Sequence, residues 1–136
     1  MTFVLGYDES PGAAVALDVA IDLASRYGEP LVLVYGVEPP GGAGEEFRPH
    51  LAAVTEMGRN ATTHALERAT AAGVTAEIEL VPDKPASALL DVADRRDARM
   101  IIVGSYGESP LRGLLLGSTT YKVLNQSERP VLVVKG

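Results

Sequence analysis

A run of small residues in the last third of the chain has the composition of an anion cradle. Gly104 and Gly107 are separated by two residues, Gly107 and Gly117 by nine, and Gly117 leads directly into Ser118 and Thr119. Glycine lets main-chain amides approach a phosphate closely, and amides at a helix N-terminus carry roughly half a positive charge. The run Met100-Ile-Ile-Val103 before these residues reads as a buried strand and the segment after them as a helix, so the glycines fall where a strand end meets a helix start. Arg112, inside the intervening stretch, either reaches a phosphate or stays solvated as exposed arginines commonly do.

Other phosphate and catalytic chemistries lack their residues. There is no Gly-Lys-Ser/Thr and no Gly-x-Gly-x-x-Gly. His50 and His64 are the only histidines, and neither has a partner at the spacing of a metal site or a triad. With no cysteine, disulfides and thiolate metal sites are excluded, and a reducing cytoplasm is the expected setting.

Charge narrows the partners. Eighteen acidic against twelve basic residues give −6 over 136 residues, which argues against broad affinity for nucleic acid or an anionic membrane. The balance is uneven. Residues 104–136 hold Arg112, Lys122, Arg129 and Lys135 against Glu108 and Glu128, a local +2 that leaves about −8 elsewhere, so a phosphate meets little repulsion at this end. The first residues lack a basic region followed by a secretory apolar stretch, and no run is long enough to span a bilayer, so a soluble intracellular chain is expected. Its length and 46% hydrophobic content suit a single domain over 1–136.

The hydrophobic period switches between two types along the chain. Short apolar runs at 2–7, 31–37, 100–103 and 131–134 read as strands covered on both faces. Helical spacing appears in Ala13, Leu17, Ala20, Ile21 and Ala24, again from about Pro49 to Gly73, over 85–95, and from about Thr119 to Asn125. Ser10-Pro11 is a helix start, with Gly28 and Gly73 as stops. Residues 38–49, rich in Pro and Gly, form either a solvated connection or a flap beside a ligand.

The resulting order, βαβαβαβαβ, predicts an α/β fold with a mostly parallel five-stranded sheet, helices on both faces and right-handed crossovers. Residues 76–80 alternate apolar side chains with Glu77 and Glu79, as an edge strand does. Val131–Val134 carries no such guard; if it too lies at an edge, pairing with a second copy of the chain satisfies it. In a 3-2-1-4-5 order, the crevice where ligands bind lies between the strands ending in Gly6-Tyr7-Asp8 and Val103-Gly104.

On these residues the chain resembles the universal stress protein family, in particular its ATP-binding subgroup. The resemblance is carried by Asp8-Glu9-Ser10-Pro11, by Gly104-x2-Gly107-x9-Gly117-Ser118 and by Arg129-Pro130-Val-Leu-Val-Val-Lys135, and it covers essentially the whole chain. It implies a Rossmann-like fold of the adenine nucleotide alpha hydrolase type. It also implies phosphate contacts from Gly104, Gly107, Gly117, Ser118 and Thr119, nucleoside contacts from Asp8 with the backbone of Gly6 and Tyr7, and adenine contacts from the backbone of Gly36 and Val37. At Tyr35-Gly36 the chain departs from the family's usual histidine and branched apolar residue, which bears on the shape of the adenine wall.

The expected function is therefore ATP binding by a homodimeric regulatory module, read by a further protein partner that the sequence does not identify. Asp8 or Glu108 could hold Mg or Mn together with the phosphates. No residue stands out to orient water or to stabilise a transferring phosphoryl group, so efficient turnover is not expected. Slow ATP hydrolysis and a nucleotide-free scaffold remain as alternatives.

Overall fold

A computed structural model describes residues 1–8, 10–36, 48–105 and 117–135. Its elements alternate: β1 (Thr2–Gly6), α1 (Pro11–Tyr27), β2 (Leu31–Gly36), α2 (Arg48–Ala71), β3 (Ala76–Val81), α3 (Pro85–Arg95), β4 (Ala98–Gly104), α4 (Ser118–Gln126) and β5 (Val131–Val134). The strands form one parallel sheet in the order β3-β2-β1-β4-β5, as the sequence predicts.

Strand β1 lies at the centre, and its side chains divide the core. Phe3 and Leu5 face a layer made by Ala16, Leu17, Ala20 and Ala24 of α1 with Ala65 and Ala69 of α2. Val4, between them, faces the opposite layer, with Leu89 and Val92 of α3 and Val123 of α4. Two-residue periodicity in the strand thus serves two cores at once. Alanines dominate the facing surfaces of α1 and α3, which lets those helices lie close to the sheet.

Local signals explain the helix ends. The Ser10 hydroxyl accepts from Ala13 N–H at 3.2 Å, Pro11 takes the first helical position, and Gly28 closes α1 at φ +64°. Glu29 N–H donates to Ala24 O at 3.0 Å and Gly28 N–H to Ser25 O at 3.2 Å, the paired bonds of a Schellman ending. Gly73, at φ +78°, follows α2 in the same way. α3 spans the residues predicted for it.

Strand ends moved more. β1 stops at Gly6 rather than Tyr7, although Tyr7 N–H still donates to Val34 O at 3.1 Å. β4 starts two residues before the apolar run, because Arg99 interrupts the hydrophobic pattern without leaving the strand. Its guanidinium donates to both carboxylate oxygens of Glu29, at 2.9 and 2.6 Å, and lies 4.8 Å from the Tyr27 ring centre. An arginine satisfied in this way does not need to end the strand.

Both sheet edges are where the sequence puts them. At β3, Glu79 accepts from Arg95 and Arg96 of α3, each at 2.9 Å, while Arg96 also reaches Glu77 at 2.6 Å. At β5 all four residues are half-buried and uncharged. Among the described residues, no helix is long and apolar enough to cross a membrane.

Candidate functional site

At the carboxyl ends of β1 and β4 the chain leaves the sheet in opposite directions. β1 feeds α1 on one face, whereas β4 leads on to α4 on the other. Open parallel sheets form a crevice at such a reversal. Here it is lined by Gly6, Tyr7 and Asp8 after β1, Gly36 of β2, Val103 and Gly104 of β4, and Thr119 of α4. These residues, far apart in the chain, were all expected at the site. Gly117 and Ser118 lie beside this lining and not in it. Val37, Gly107 and Arg112 lie outside the described residues, as do Glu9, Glu108 and the segment 38–47.

Asp8 both forms a local turn and lines the crevice. Its Oδ1 accepts from Ser10 N–H at 3.0 Å, forming the turn that starts α1, and its half-buried carboxylate also lines the crevice. Because Ser10 then caps Ala13, the carboxylate is tied to the first turn of a helix and cannot swing freely.

Two glycines of the lining are required by the protein's own backbone. A Cβ on Gly104 would sit 2.9 Å from both the carbonyl carbon and the oxygen of Gly12 in α1. A Cβ on Gly36 would meet Asp83 O and Pro85 Cα, both at 2.9 Å. Main chain cannot rotate aside as a side chain does, so these positions allow α1 and the start of α3 to press against the strand ends. At Gly6 the obstacle is the Leu89 side chain, with Cδ1 at 2.8 Å.

The glycine–hydroxyl segment differs from a simple cradle. Gly117, not Ser118, is the N-cap of α4, and no side chain caps this helix; Ser118 is its exposed first residue. The Gly117 amide is already engaged, donating to Ser105 O at 2.7 Å. Tyr121 N–H donates to Gly117 O at 3.0 Å, the first bond of the helix, so the preceding amides of Ser118, Thr119 and Thr120 have no acceptor within the helix. Those amides present the positive end of α4 to the crevice mouth.

Sequence reading did not select Ser10, Ala13, Val34, Tyr35, Pro85, Leu89 or Thr120, all of which also line the crevice. Pro85 was legible as a helix start and Leu89 as a core residue; their meeting beneath Gly36 and Gly6 is set by how α3 crosses back over the sheet. Thr120 had a usable signal, since it stands one helical turn before Val123 and both are buried. Among the described residues, no group of three or more acidic, cysteine or histidine side chains is placed to hold a metal ion.

Comparison with known proteins agrees with this architecture. The universal stress protein family model matches residues 1–135. A universal stress protein of Thermus aquaticus is 33% identical, the match covering 98% of each chain, and YxiE of Bacillus subtilis is 32% identical over 97% of each. The solved structure of hypothetical protein MJ0577 superposes with a TM-score of 0.89 at 27% identity, over 99% of this chain and 95% of that one. A universal stress protein solved in complex with cAMP superposes at 0.75 with 30% identity, over 99% and 96%. Some relatives are longer: the chain spans 47% of the Mycolicibacterium smegmatis protein it matches at 29% identity. By fold and by sequence along its length, the chain belongs to the universal stress protein family.

Proposed function

We propose that the crevice binds an adenine nucleotide, ATP, and that the protein is a nucleotide-dependent regulatory module that does not turn its ligand over efficiently. One observation carries this reading: Gly6–Asp8, Gly36, Val103–Gly104 and Thr119 meet in a single crevice at the switch point. The phosphates then lie toward the first turn of α4, with Gly107, Gly117, Ser118 and Arg112 nearby in the chain. The ribose lies toward Asp8, and the base toward Gly36 and Val37, between Tyr35 and the Pro85–Leu89 side of α3. The cAMP complex of a 30% identical relative supports an adenine ligand.

The same residues argue for binding over chemistry. Asp8 is the one carboxylate of the described lining, and no described lysine or arginine joins it there to stabilise a transferring phosphoryl group. A Mg or Mn ion here depends on phosphate oxygens for most of its ligands, with Asp8 or Glu108 contributing. The uncharged β5 edge favours a homodimer through Val131–Val134 as the working form.

Calorimetric titration with ATP, ADP, AMP and cAMP tests this function. Saturable ATP binding without accompanying phosphate release is expected. No heat of binding at millimolar nucleotide would sink the nucleotide reading and leave the scaffold alternative. Sustained phosphate release above a no-protein control would instead establish the hydrolase alternative.

A further inference from the structure

We propose that Thr120 is a positioning residue for the phosphates, acting through the placement of α4 without donating to the ligand itself. The inference rests on the nucleotide reading above. Thr120 lies in the first turn of α4 and is 3% exposed, packed on the side of the helix that also buries Val123. Its Oγ1 donates to the Gly104 carbonyl, the last residue of β4, at 2.7 Å. A hydroxyl has one proton to give, and this one is committed to Gly104, so it cannot also be given to a phosphate oxygen.

The bond from Thr120 is one of three made by the main chain of two adjacent residues, Gly104 and Ser105. Ser105 follows Gly104 and is 5% exposed; its N–H donates to Val134 O of β5 at 3.0 Å, and its carbonyl accepts from Gly117 N–H at 2.7 Å. Residues 105 and 117 flank the glycine-containing segment 106–116, and this bond holds its two ends together. Gly117 ties the helix cap to the chain leaving β4, and Thr120 ties the following turn to the strand's last residue. Two bonds a turn apart, together with the buried Val123, hold α4 in distance and in rotation about its axis, and loss of either bond loosens that hold.

Rotation is the quantity that matters for an anion at a helix start. The amides of Ser118 and Thr119 point along directions set by the helix, and charge-assisted hydrogen bonds weaken steeply when donor and acceptor lose alignment. Removing the Thr120 hydroxyl leaves the Gly104 carbonyl without that donor and loosens the hold on the rotation. Contacts to the base and ribose, made at β1 and β2, do not depend on α4. Loss of the hydroxyl therefore weakens ligands that carry phosphates and spares those that do not.

The test compares ATP with adenosine, by calorimetry, on the wild-type chain, Thr120→Val and Thr120→Ser. Valine keeps the shape and removes the hydroxyl; serine restores it. Thr120→Val is expected to lose about tenfold in ATP affinity, the worth of one hydrogen bond, with adenosine changed by less than about twofold, and Thr120→Ser is expected to recover most of the loss. An unchanged ATP affinity in Thr120→Val, or equal losses for both ligands, overturns the proposal, the second because a purely structural defect affects both. A wild-type chain that binds neither ligand overturns the nucleotide reading and this inference with it. Amide hydrogen exchange on the ligand-free wild-type chain provides a check that no variant's folding can spoil: Ser105 and Gly117 are expected to be protected, and rapid exchange at both overturns the proposal.

Discussion

Gly104 at the end of β4 and Gly12 in the first turn of α1 approach so closely that neither backbone leaves room for a side chain on Gly104. The contact joins the helix that follows β1 to the strand that precedes the glycine-rich segment, across the crevice floor. Gly104→Ala is expected to cost about 2 kcal/mol of stability by forcing α1 away from β4, whether or not nucleotide is present. Chemical denaturation of the ligand-free protein measures it. An unchanged midpoint would mean that α1 yields freely and that the glycine is kept for the ligand alone.

Asp8 permits a cleaner separation of fold from ligand. Asn at position 8 retains an oxygen for the Ser10 amide and removes the charge, so Asp8→Asn is expected to melt within about 0.5 kcal/mol of the wild type while binding ATP more weakly. Ser10→Ala should do the reverse, costing about 1 kcal/mol through the lost cap. Parallel melts and titrations of the two variants check both expectations; equal effects on the two readouts would refute the separation.

How much of the fold is legible in the sequence follows the range of the interactions involved. Strands β2, β3 and β5 and helix α3 were legible because apolar runs, alternation and Pro85 are local signals. The start of β4 was not, because Arg99 looks like an interruption until Glu29 and Tyr27, 70 and 72 residues earlier, are seen to satisfy it. At the site, the ends of β1 and β4 were legible from topology, whereas Gly36 of β2 rested on the family resemblance. What brings Leu89 under Gly6, or commits the Gly117 amide to Ser105, is packing between elements that no local window contains.

Acid should weaken the β3 edge in a defined direction. Partial burial pushes the Glu79 carboxyl upward, but the hydrogen bonds from Arg95 and Arg96 together outweigh it and hold the group below its ordinary value of 4.5. A carboxylate depressed by folding stabilises the native state above its unfolded value, and that contribution is lost as pH falls through the lower, folded one. In denaturation midpoints measured from pH 7 down to about pH 3, wild type is expected to exceed Glu79→Gln at neutral pH and to converge on it below pH 4.5. A gap that is independent of pH would contradict this account.

Charge placed on the opposite edge tests the proposed pairing. Val133→Lys is expected to shift the chain from dimer to monomer in sedimentation velocity, with nucleotide affinity retained in the monomer's crevice. A dimer that survives the substitution would move the interface away from β5.

The two edges of the sheet also set a limit on assembly. On β3, Glu77 and Glu79 are locked by arginines from α3, and a neighbouring strand arriving there would have to displace paired charges. On β5, Val131–Val134 presents nothing comparable. In the proposed dimer, β5 joined to β5 leaves β3 on both outer sides. That pairing would terminate itself at two chains, an apolar edge closed off without becoming the seed of a fibre.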